Sequence, residues 1–153
     1  MHDSTDILSR NEIAALRKSY HDDPTALQNL ALKSTAALFG GARELVTTIG
    51  DLVYGQREPT DFIDAKDREV QILTLLVISR QWRELAIHCY WAILVGLHPH
   101  DIAQTLLLAC TGAGIDELVG GLGVMTRVMH VLKQLAPTEP GPEEVVGVLI
   151  QQF

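Results

Sequence analysis

The chain has 153 residues, 47% of them hydrophobic and 20% charged, enough to bury one core without staples and too apolar for extended disorder. Its net charge is −7 and its twelve basic residues are scattered, so neither a nucleic acid nor an anionic membrane surface is an expected partner. The opening MHDSTD is no basic-then-apolar leader, and no apolar run approaches the roughly 18–20 residues that span a bilayer. A soluble, cytoplasmic protein of one domain over 1–153 is the expectation.

Aromatic residues are only 5%, while Leu, Ala, Val and Ile abound, a mix suited to helix packing and to an all-α fold. Residues 1–10 are polar and read as a loose N-terminus. Ile13, Leu16 and Tyr20 give Asn11 to Tyr20 a helical spacing. Asp23-Pro24 reads as cap and first helical position, with Leu27, Leu30, Ala31, Ser34 and Leu38 on one side until Gly40-Gly41. A third helix is predicted from Ala42 to about Tyr54, followed by a turn-rich connector, Gly55 to Ile63.

Asp64 is placed to cap the next helix, with Asp67 three residues on. Its apolar residues, from Val70 to Ile78, fall on nearly every side, so it is expected to be buried all round. Leu85 to Leu97 is equally apolar and Gly96 stops it. Pro99 opens a helix that should end before Gly112 and Gly114. Ile115 to about Leu135 forms the last long one, where Gly120, Gly121 and Gly123 either weaken it or admit a close neighbour. The segment 136–153 is a Pro/Gly linker and a short tail helix, Glu143 to Gln152. Cys89 and Cys110 sit in apolar helical patterns and are expected as reduced thiols packed as small hydrophobes.

No Gly or Pro interrupts the run 64–95. An unbroken helix there would be about 48 Å long, too long for a compact domain of this size. Ser79-Arg80-Gln81 is the natural place for a reversal. With it, the two arms form an antiparallel pair and Glu69 approaches Glu84 and His88; without it, Glu69 and Glu84 stand about 22 Å apart. Glu84 and His88, four residues apart, face the same way among apolar neighbours, a setting that favours acid–base chemistry near neutral pH. The plainer reading is a partly exposed helix contact.

Asp64-Ala65-Lys66-Asp67-Arg68-Glu69, then Glu84-x-x-x-His88, then Ala92-x-x-x-Gly96-Leu97-His98-Pro99-His100-Asp101-Ile102 resembles the carboxymuconolactone decarboxylase family over about residues 45–135. The alkyl hydroperoxidase D-like proteins of the same superfamily carry Cys-x-x-Cys where this chain has Gln81 and Glu84. With both thiols missing, a dithiol peroxidase is excluded as an expectation. The resemblance implies an alkyl hydroperoxidase D-like helical bundle with an antiparallel central helix pair, assembled as a trimer or hexamer. It also implies a cofactor-free decarboxylase acting on a carboxylated lactone or related unsaturated acid. In that scheme His88 donates a proton or hydrogen bond, Glu84 orients it or acts as the acid, and Glu69 completes the network. Arg68 or Arg83 would hold a substrate carboxylate, beside Gln81, with Trp82 at the pocket mouth. His98, His100 and the first fifty residues depart from the family pattern, which leaves isomerisation or ring opening of a related substrate open.

One His with two carboxylates matches no common metal-ligand motif, so neither metal nor cofactor is expected. His98 is expected to cap a helix, His130 to be a core or interface residue, and Trp82 and Trp91 to be packing residues. Tyr54 is within reach of the site in sequence alone. The competing reading is a non-catalytic helical oligomer of the same fold, serving as a binding or scaffolding module.

Overall fold

The computed structural model describes residues 7–20 and 63–153. Among these it contains six α-helices and no strand. The helices expected at 24–39 and 42–54, the connector 55–62 and Tyr54 lie outside the described residues.

Helix α1 (Arg10–Arg17) starts at a capping box: Ser9 Oγ accepts from the Glu12 backbone at 3.3 Å, and the Glu12 carboxylate accepts from Ser9 N at 2.6 Å. Those bonds hold the Glu12 carboxyl below its ordinary pKa. The helix buries Leu16 and is tied to the distal end of the chain by a Lys18–Glu139 ion pair.

Helix α2 (Ala65–Ile78) is capped by Asp64, whose carboxylate accepts from Asp67 N at 2.8 Å. It is not buried all round. Only Glu69, Leu73 and Val77, spaced by four, are buried, while Leu75 is 67% and Ile78 46% exposed. The stripe faces the protein because, among the described residues, α2 packs on only part of its circumference, against α3, α4 and α5 as defined below.

The reversal falls at the expected residues. Ser79 leaves the helix at φ −85, and its hydroxyl donates to the Leu75 carbonyl at 2.7 Å. Arg80 takes a left-handed φ of 57. Helix α3 (Trp82–Leu94) then returns along α2, burying nine of its thirteen residues, with Val95 buried after it. Gly96, at φ 95, turns the chain. His98 is the N-cap of α4 (Pro99–Ala113), its backbone N–H donating to Asp101 at 2.9 Å. This helix runs through Gly112, and only Gly114 ends it, so the earlier stop expected at the first glycine does not occur.

Helix α5 (Ile115–Leu135) is continuous despite its glycines. Two of them serve close approach: a Cβ on Gly121 would lie 2.5 Å from Val77 Cγ2, and one on Gly120 would lie 2.9 Å from the Trp82 ring, whereas Gly123 meets no neighbour. A 3-10 turn (Ala136–Thr138) leads to α6 (Pro142–Gln152), which packs on α3 and α5. Arg127 stacks over the Phe153 ring at 4.3 Å. Helix α3 thus lies at the centre, touched by every other α-helix described. No helix among the described residues is long and apolar enough to cross a membrane.

Candidate active site

Glu69 occupies the first position of the buried α2 stripe, where the spacing would otherwise call for an apolar residue. It is 1% exposed. A carboxylate in that setting is costly unless it is bonded, and one oxygen is: Oε2 lies 2.8 Å from His88 Nδ1 on α3. They are nineteen positions apart in sequence, and the turn at 79–81 brings both onto facing sides of the hairpin. As acceptor, Glu69 fixes the hydrogen of the ring on Nδ1. The opposite nitrogen, Nε2, has no hydrogen-bond partner among the described residues, and the His88 side chain is 15% exposed. The ring packs edge-on against Trp91, one turn along, with centroids 4.5 Å apart and planes at 67°.

The other carboxylate oxygen, Glu69 Oε1, is buried with no hydrogen-bond partner among the described residues, and so is the Tyr90 hydroxyl. Burial raises the pKa of Tyr90. Burial, with the Glu69 charge adding to it, pushes the Cys89 thiol up to about 12. Cys89 is therefore a protonated, unreactive neighbour of the pair. Both cysteines are free and buried, as expected.

The remaining residues predicted for the site are distributed along the hairpin. Glu84 is half-buried in the first turn of α3 and makes no bond to His88 among the described residues, so the imidazole is oriented by Glu69 and not by Glu84. Arg68 is half-buried beside Glu69, and Arg83 is exposed. Gln81 is exposed at the apex of the hairpin, about 10 Å along α3 from His88. Trp82 lies against Gly120, packed between helices. His130 belongs to no core: it is exposed and bonded to Gln134 at 3.0 Å, because it falls on the outer side of α5. His100 is likewise exposed, bonded to Gln104.

The sequence reading missed Trp91 as a wall of the site, although its i+3 spacing from His88 is a legible signal. No cluster of three or more His, Cys, Asp or Glu side chains suited to a metal ion occurs among the described residues. Chemically, the pair is an imidazole held in one tautomer by a buried carboxylate, able to take up or deliver a proton at Nε2. No family model, curated protein or solved structure matches the chain.

Proposed function

We propose that this chain is a cofactor-free acid–base enzyme of the carboxymuconolactone decarboxylase type, acting on a carboxylated lactone or a related unsaturated acid. One observation carries the reading: His88 is anchored through Nδ1 by a buried carboxylate while Nε2 is unpartnered among the described residues. Loss of CO2 leaves its electron pair spread into the lactone carbonyl as a dienolate. A hydrogen bond from the imidazolium lowers the energy of that oxyanion, and protonation at carbon then completes the exchange of CO2 for a proton. Glu69 stabilises the positive ring through the same 2.8 Å bond. Packing against Trp91 leaves the His88 side chain only 15% exposed, and such low exposure strengthens both interactions. Arg68, next to Glu69, is the candidate anchor for the substrate carboxylate, ahead of the exposed Arg83.

The test is CO2 release from a panel of carboxylated lactones. His88→Ala should lower kcat by about 100-fold or more, and Glu69→Gln by an intermediate factor, while Glu84→Gln stays near wild type. Equal turnover by wild type and His88→Ala removes the pair from the mechanism.

A second reading rests on Leu75, Leu108, Ile115 and Val119, each at least 65% exposed. Large apolar side chains in such number favour a covered surface, and hence a homo-oligomer, trimer or hexamer, whether catalytic or a scaffold of the same fold. Sedimentation as a monomer at micromolar concentration would reject it.

A further inference from the structure

Helix α5 grips the reversal between the two arms at successive points. A Cβ on Gly121 would lie 2.5 Å from Val77 Cγ2 on α2 and 3.9 Å from Leu106 on α4, and one on its neighbour Gly120 would lie 2.9 Å from the ring of Trp82 on α3. One turn earlier on α5, Glu117 accepts at 2.9 Å from the Nε of Arg80, the left-handed residue of the turn itself. Two adjacent glycines therefore each receive a side chain from a different arm. A Cβ on Gly123 would meet nothing within 4 Å among the described residues, so the glycines of α5 are not interchangeable.

Val77 closes the buried stripe that Glu69 opens, on one unbroken helix. Its seat on Gly121 therefore sets the height and rotation of Glu69, about 12 Å along the axis. Trp82 is the first residue of α3, and its seat on Gly120 does the same for His88, about 9 Å further on. The 2.8 Å bond between Glu69 and His88 needs the arms matched to a few tenths of an ångström. A methyl added at Gly121 has no easy relief. Val77 is β-branched and holds one dominant rotamer in a helix, so its Cγ2 does not swing aside and α2 itself must move. At Gly120 the contact is the outer edge of the Trp82 ring, which pivots about its own side-chain bonds, so a methyl there displaces less.

We infer that Gly120 and Gly121 are positioning residues of the Glu69–His88 pair: they set the two arms against each other, one through Trp82 and the other through Val77, at the depth that closes the bond. The bearing of this on catalysis rests on the function proposed above, while the bond itself can be followed without turnover.

The test follows exchange of the His88 Nδ1 proton with water, by NMR of the full chain carrying isotope-labelled histidine. Gly121→Ala should speed the exchange by about tenfold or more and Gly120→Ala by less, while Gly123→Ala should stay within about twofold of wild type. Val77→Ala in the Gly121→Ala background removes the methyl that the new one meets and should return the rate toward wild type. That double variant carries the test if Gly121→Ala alone does not fold. Leu149→Ala, which opens a cavity at a fully buried position of α6, should leave the rate near wild type. A wild-type rate in Gly121→Ala, an equal disturbance from Gly123→Ala or Leu149→Ala, or no recovery in the double variant would overturn the assignment. Absence of CO2 release from carboxylated lactones, with the Gly121→Ala effect present, would count against the lactone reading alone.

Discussion

The two arms of the central hairpin look alike as sequence and differ in the fold. Helix α3 is buried on all sides, from Leu85 to Val95 with only His88 partly open. Helix α2, nearly as rich in Leu, Ile and Val, buries one stripe of three residues and leaves Leu75 and Ile78 in the open. Apolar content states how much surface a helix would gain by covering. It does not state how many neighbours the topology can supply. Helix α3 is met by every other α-helix of the described structure, α2 only by those on one side. The buried acid of the described residues sits on that stripe of α2, and its partner is the one opening in the wall of α3.

The contrast can be broken most forcefully in the core. Leu85→Ala, at a fully buried α3 position, should destabilise the protein by about 2–5 kcal/mol in urea unfolding. An effect below about 1 kcal/mol would mean that α3 is not the central element. A second effect is expected in alkali. The folded state keeps the Cys89 proton to a pKa of about 12, while the unfolded chain releases its thiol proton near 8.5. Between those values the folded state binds more protons, so stability is intact below the lower value and falls as the pH rises toward the upper one. The loss accumulates steadily across that window, and Cys89→Ala should flatten it. The slightest effect belongs to the outer face. Arg80 Nε donates to Glu117 at 2.9 Å in an exposed setting, and Leu75 is exposed. Arg80→Ala should move Tm by no more than about 2 °C, as should Leu75→Ala in a monomer that leaves this face uncovered. A large drop for Leu75→Ala would show that α2 is covered on that side as well.

Much of this arrangement is legible in the sequence, and for local reasons. Asp64 followed by Asp67, Pro99 after His98 and the polar Ser79–Gln81 step each name a terminus through backbone chemistry that acts within four residues. The reversal follows from length alone, since a rod through 64–95 has no place in a compact domain. The Ser9-x-x-Glu12 capping box is equally readable and marks the start of α1 one residue ahead of Asn11. What cannot be read is long-range. Glu84 shares a helix with His88, so spacing favours it as the partner, yet Glu69 takes the bond from across the hairpin. Nothing in the glycines of α5 states that two of them seat Val77 and Trp82 instead of loosening the helix.

The three-residue turn carries a consequence of its own. A helix that is oily around its whole girth has no preferred rotation about its axis, so hydrophobic patterning cannot decide which of its residues confronts α2. The number of residues between the arms decides it, since each one advances α3 by about 100°. Lengthening the turn by one residue would present Ile87 to Glu69, and shortening it by one would present Cys89, leaving the carboxylate opposite a group that cannot share its charge. The phase of the imidazole is thus set by loop length, and a single insertion or deletion at 79–81 would uncouple it with every side chain of the pair still in the sequence.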